Sequence, residues 1–197
     1  DPDEMRSASP APKPPGFHLI YAGSLYGAQE AEAYFEEVLK AFERLRTEHP
    51  QHFATARFDL YITGHGVDAY ATKVRARGLQ DQVRFHAPLP AREIFPRIAA
   101  ADLVVIFIPT PNKDFLGTKF NEIFFLRRPV LHVGATGRVG RTITERRLGA
   151  SITVEEVAAE LPRIISGERT IAIDPHVDLS EHLLGPITDR LITDVLR

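Results

Sequence analysis

VLHVGATGRVGRTITERRLGAS, residues Val130 to Ser151, passes from an apolar, strand-like run through Gly134-Ala-Thr-Gly137-Arg-Val-Gly140 into a segment of helical composition. Two physical readings compete for it. In a dinucleotide-binding fold, glycines at this spacing let backbone amides wrap a pyrophosphate at a helix N-terminus. Glu155 or Glu156 then stands about 20 residues on, where a ribose ligand is sought. In the other reading the glycines only permit a tight strand-to-helix corner and a close approach of helix to sheet. Position in the chain favours the second. A dinucleotide-binding fold begins with its glycine loop, whereas at least four strand–helix units precede Gly134 here. Too little chain follows to complete a second sheet. No Tyr-x-x-x-Lys pair follows either, since the last tyrosine is Tyr70.

Working outward, apolar runs rich in β-branched residues alternate with segments of helical period. Strands are expected at Phe17–Ala22, Phe58–Thr63, Val83–His86, Leu103–Ile108, Val130–Val133 and Ser151–Val154. Helices are expected at Gln29–Arg46, Asp68–Arg77, Arg92–Ala100, Thr118–Leu126, Arg138–Arg147 and Glu155–Ile165, with a last one within Leu179–Leu196. Near-continuous apolar strands such as DLVVIFI predict a parallel sheet covered on both faces. The expected fold is therefore α/β, a Rossmann-like three-layer α/β/α domain with a parallel sheet of about six strands. Such sheets bind ligands at the carboxyl ends of their strands, which singles out the loops that follow each strand.

The 197 residues suit one domain with an appended arm. Four prolines within Ser7–Gly16 make that stretch an extended linker. The expected division is a linker over 1–16, a binding domain over 17–178 and a C-terminal helix over 179–197. A formal charge of −2 argues against general nucleic-acid binding. The absence of cysteine excludes disulfides and thiolate metal sites. No apolar run approaches the roughly 20 residues of a membrane helix, and no signal-peptide pattern opens the chain.

Immediately upstream of the glycines, PTPNKDFLGTKFNEIFFLRRPVLHVG (Pro109–Gly134) separates Asp114 from Glu122 by seven residues. Gly117 lies between them, and Pro129-Val130-Leu131 opens the next strand. A loop carboxylate and a second on the first turns of the following helix can each chelate a pair of sugar hydroxyls. The helix N-terminus meanwhile offers amides to a diphosphate. The segment resembles the E-x7-E motif of retaining GT-B glycosyltransferases of the family-4, or group 1, type. Its offsets match at Gly117, Glu122 and Pro129. The resemblance extends over roughly Phe17 to Ile165. FHLIYAGSLYGAQEAEAYFEEVLKAFERL looks like the first strand, donor loop and helix of the C-terminal, donor-binding domain, and the order from Leu60 to Pro109 follows the same domain.

What the resemblance implies is specific. Asp114 would face the donor hexose hydroxyls and Glu122 the nucleotide ribose, with Thr118 and Lys119 near the phosphates; Asp114, Glu122 and Lys119 form the expected catalytic set. Backbone around His86–Leu89 would hold the nucleobase, with Gly23, Ser24 and Tyr26 bordering the diphosphate, as would Gly117, Gly137 and Arg138. The donor would be a UDP- or GDP-sugar, with no cofactor and no metal. DPDEM resembles the family's crossing into this domain, so an N-terminal acceptor domain of the same polypeptide is the implied partner. This chain alone would be inactive. The full enzyme would build a polysaccharide or other glycan in the cytoplasm, with the inner membrane face as one location.

The sequence departs from the family where an Arg and a Lys usually follow the first strand; here those places read Ser24 and Gly27-Ala28-Gln29. A leaving nucleotide needs cationic compensation as charge develops on it. Lys113, Lys119, Arg138 and Arg141 are the nearby candidates. Two alternatives stay open: an NAD(P)-binding oxidoreductase domain acting through the GATGRVG loop, and a non-catalytic module of GT-B type. His86 by itself reads as a hydrogen-bonded loop histidine, and His65 carries no role.

Overall fold

Alternation along the apolar runs sends consecutive side chains to opposite faces of a sheet, so a run apolar at every position must be covered twice. A computed structural model, describing residues 10–13, 15–25, 28–63, 67–116, 120, 123–124 and 126–179, has this arrangement. The strands are β1 (His18–Ser24), β2 (Arg57–Thr63), β3 (Val83–His86), β4 (Leu103–Ile108), β5 (Val130–Gly134) and β6 (Gly149–Ile152). They pair in parallel in the order β3-β2-β1-β4-β5-β6. The strand order reverses between β1 and β4, which opens the crevice where doubly wound sheets bind ligands.

Between and after the strands run α1 (Ala28–Glu48), α2 (Pro50–Thr55), α3 (Val67–Ala76), α4 (Ala91–Ala100), α5 (Arg138–Glu145) and α6 (Val157–Ile165). Helix α1 buries Ala31, Tyr34, Phe35, Val38, Leu39, Phe42 and Leu45, a stripe of 3.6-residue period. It stops at His49 because the residue before a proline disfavours helical backbone, and Pro50 then opens the short α2, which the sequence did not announce. The stripe packs with α3 and α6 on the face formed by Leu19, Tyr21, Phe58, Leu60, Val105, Phe107, Leu131 and Val133. The opposite face, with Ile20, Tyr61, Val104, Ile106 and Val130, is covered by α4, by α5 and by the helical positions Phe120, Ile123 and Phe124.

The last strand differs from expectation, starting at Gly149 and ending at Ile152. It was sought among β-branched residues, yet the ladder opens on Gly149 and Ala150, paired with Val130 and Leu131. A Cβ on Gly149 would lie 1.9 Å from the Val130 carbonyl oxygen, so only glycine can begin the pairing there. Beyond Ile152 the Thr153 N–H is taken by the Glu156 carboxylate at 2.7 Å, which turns the chain towards α6. Of the expected helix over 179–197 only Leu179 is among the described residues, and most of Thr118–Leu126 lies outside them. Of the proline-rich arm, Ala11 donates its N–H to Pro96 O of α4 at 3.0 Å and Lys13 pairs with Asp102 at 2.7 Å.

Candidate functional site

Strand β1 ends in Gly23 and Ser24, beside the β1/β4 crevice. Tyr21 donates its hydroxyl to Ser24 O at 2.7 Å, and Ser24 Oγ meets Thr63 Oγ1 of β2 at 2.5 Å. Beneath lies a cavity of about 60 Å³ lined by Tyr21, Ser24, Ile106, Ile108, Phe120 and Ile123. The chain leaves β4 through a single turn of 3-10 helix, Thr110–Asn112, and reaches Asp114. Gly23, Ser24, His86, Leu89, Asp114, Gly137 and Arg138 all lie within the described residues. Tyr26, Gly117, Thr118, Lys119 and Glu122 lie outside them, as does His65.

The structure brings Asp114 against the opening glycine motif. Its Oδ1 accepts the Arg138 backbone N–H at 2.7 Å, and the Lys113 carbonyl accepts the Val139 N–H at 3.0 Å. The loop after β4 therefore caps α5, whose own N-cap residue, Gly137, has no side chain to do so. A Cβ on Gly137 would meet Lys113 O at 2.5 Å, and one on Gly140 would meet Ser151 Oγ at 2.6 Å. Gly137 is thus required by the approach of the loop backbone, and Gly140 packs closely on the Ser151 and His132 side chains of the sheet. The Arg138 N–H, with Lys113 Nζ at 3.1 Å, holds the Asp114 carboxyl below the usual carboxylate range. Its side chain is still 58% exposed, and Arg138 and Arg141 are exposed beside it.

A second cleft, about 410 Å³, opens over the ends of β5 and β6 between Glu30, Tyr34, Thr110, Gly134, Ala135, Thr153 and Glu155. Glu30 accepts the Thr110 N–H at 2.7 Å and its hydroxyl at 3.2 Å. Tyr34 donates to Ile108 O at 2.8 Å, and burial, reinforced by Glu30, pushes its hydroxyl up to about 12. Glu155 lines this cleft, whereas Glu156 closes on its own turn. A further cavity, about 550 Å³, lies away from the carboxyl ends of the strands, between β6 and residues 169–175.

One cluster escaped the reading of the sequence. Asp59 of β2, 15% exposed, accepts from His18 Nε2 at 2.7 Å and from His86 Nε2 at 2.6 Å. Burial works to raise its carboxyl, but the two imidazole hydrogen bonds outweigh it and hold the group far below the ordinary range. The His86 ring stacks on Tyr61 with centroids 4.7 Å apart and planes inclined by 17°, and the Arg97 guanidinium lies 5.8 Å from the Tyr61 centroid. The available signal was a carboxylate at an alternating, core-facing position of FDLYIT. Leu89, three residues beyond His86, packs against the core cluster on the same face of the sheet.

No group of three or more His, Cys, Asp or Glu suited to a metal occurs among the described residues, and none of their helices is long and apolar enough to cross a membrane. No protein-family model matches the chain, and no curated protein matches it in sequence. Solved structures do match. The C-terminal domain of a glycosyl transferase group 1 family protein (LpcC) from Francisella tularensis aligns with a TM-score of 0.59 at 18% identity, covering 82% of this chain and 87% of that domain. OtsA in its apo form aligns at 0.61 and 14% identity, over 92% of this chain and 44% of that one. The pneumococcal O-GlcNAc transferase GtfA, in complex with UDP and GlcNAc, aligns at 0.59 and 14%, over 83% and 32%. The chain thus spans most of an isolated C-terminal domain but less than half of the longer proteins. It has the fold of the C-terminal domain of a GT-B glycosyltransferase.

Proposed function

We propose that the chain is the donor-binding domain, residues 17–178, of a cytoplasmic glycosyltransferase. It would take a hexosyl group from a UDP- or GDP-sugar and pass it to a glycan or other acceptor held by an N-terminal domain of the same polypeptide. The observation that carries this is the loop after β4, which starts at the β1/β4 reversal and holds Asp114 at its seven-residue separation from Glu122. With Oδ1 engaged by α5 and Oδ2 3.1 Å from Lys113 Nζ, Asp114 offers the remaining lone pairs of its exposed carboxylate to donor hydroxyls. Glu122 would chelate the ribose diol. Lys119, with Lys113, Arg138 and Arg141, would take the place of the absent Arg/Lys pair against the leaving diphosphate, where charge grows in the transition state. Gly23, Ser24, Tyr26, Gly117, Thr118 and Gly137 would border that diphosphate, and the backbone from His86 to Leu89 the base. The reaction as proposed needs no cofactor.

The test is a thermal-shift titration of the chain with UDP, GDP, ADP, NAD and NADP. A ligand at about 100 times its Kd stabilises by about 2.7 kcal/mol. UDP or GDP is expected to raise the melting temperature, and Glu122→Ala to abolish the rise. A response to NADP alone, lost in Gly137→Val, would overturn the reading in favour of the oxidoreductase. No response to any of the five would favour a non-catalytic module.

A further inference from the structure

A carboxylate accepts hydrogen bonds and, while ionised, donates none. Asp59 meets two imidazoles, each through Nε2, so both rings carry their proton on that nitrogen. In a neutral imidazole the other nitrogen is then a bare acceptor. For His18 that atom is Nδ1, buried and without a partner among the described residues. His86 differs because its ring is 36% exposed and it is the last residue of β3, at the carboxyl edge of the sheet. Tyr61 supports one face of the ring and Asp59 holds one edge, which leaves Nδ1 on the edge away from the carboxylate.

We propose that His86 is a specificity-determining residue: its Nδ1 lone pair accepts the ring N3–H of a uracil base, and Asp59 is the positioning residue that fixes this tautomer. Uracil and cytosine have the same outline, but uracil carries a hydrogen on N3 where cytosine carries a lone pair. Two lone pairs facing each other leave both unsatisfied, so a fixed acceptor discriminates where shape does not. The inference rests on the donor-domain reading, since it needs a base beside the loop that follows β3.

The experiment is calorimetric titration of the chain with UDP, CDP, GDP and ADP. UDP is expected to bind roughly tenfold more tightly than CDP, the ratio that one hydrogen bond supports. His86→Phe keeps an aromatic ring for Tyr61 to stack on and removes the Nδ1 acceptor, while His18 still donates to Asp59. That variant is expected to bring the UDP/CDP ratio to about one with nucleotide binding retained. Imidazole nitrogen NMR of the wild type is expected to show His86 protonated on Nε2, with Asp59→Asn releasing that tautomer and lowering the ratio. Equal affinity for UDP and CDP, an unchanged ratio in His86→Phe, or a proton on Nδ1 at neutral pH would each overturn the proposal and leave the donor-domain reading standing. Failure of the wild type to bind any of the four nucleotides would instead bring down that reading, and this one with it.

Discussion

His132 shows how much a single position can contribute to behaviour that composition hides. It stands in β5 with no exposed surface, its Nδ1 2.8 Å from Ser151 Oγ and its Nε2 without a partner among the described residues. Burial alone pulls the imidazole down to about 4 from an ordinary value near 6.5. The folded chain therefore keeps this group neutral at a pH where the unfolded chain has already taken up a proton. Stability from this residue is complete above about pH 6.5 and is lost as pH falls towards 4, by on the order of 3 kcal/mol in all. Urea unfolding at pH 7 and at pH 4.5 should show the loss. A His132→Leu/Ser151→Ala chain, which leaves neither polar partner orphaned, should show a flatter profile over the same interval. Asp59 acts lower on the scale. Its carboxyl is depressed by His18 and His86, so its contribution is present above the ordinary carboxylate range and fades as pH falls below about 4.

Among elements, α5 is the one whose placement decides the character of the site. Its N-terminus sits under the loop after β4 and its third residue, Gly140, lies on Ser151 and His132 of the sheet. A methyl group at Gly140 would have to displace Ser151 Oγ at 2.6 Å, so Gly140→Ala should cost about 1–3 kcal/mol through overpacking, measured by chemical denaturation. Had the glycines served only a cofactor, the apo chain would tolerate that methyl group without loss. The structure thus supports the structural reading of the motif through contacts with Lys113 and Ser151. Neither partner could be named from the motif itself. Asp114 is 24 residues before the amide it caps. Spacing made its carboxylate conspicuous but said nothing of the helix terminus that would share it.

For the molecule as a whole, the sheet divides the core in two. Phe42 belongs to the cluster under α1, α3 and α6, and Ile143 to the cluster under α4 and α5; both are fully buried. Phe42→Ala should cost about 3–5 kcal/mol and Ile143→Ala about 2–5. With no residue shared between the clusters, the double variant should equal the sum of the two within about 0.5 kcal/mol. Both losses should still appear in one cooperative transition, because β1, β2, β4 and β5 each contribute to both clusters. All six expected strands stand within two residues of their observed ends, since apolar periodicity is a local property. The sixth was displaced because a glycine-led ladder has no local signature. The strand order was not legible, as it depends on which edges meet after the chain has doubled back.

Sequence alone determined the parallel, doubly covered α/β architecture, because runs such as LVVIFI can satisfy their burial in few other ways. It also marked the carboxyl ends of the strands as the place for a ligand, and Asp114 and Glu122 as the pair to examine there. Tertiary structure alone decided that Asp114 caps α5, that Gly140 is a packing residue, and that Asp59 gathers His18 and His86 into one hydrogen-bonded cluster. Each of these is a meeting of groups 11 to 41 residues apart. Such distances are closed by strand pairing and helix packing, and no periodicity along the chain records them.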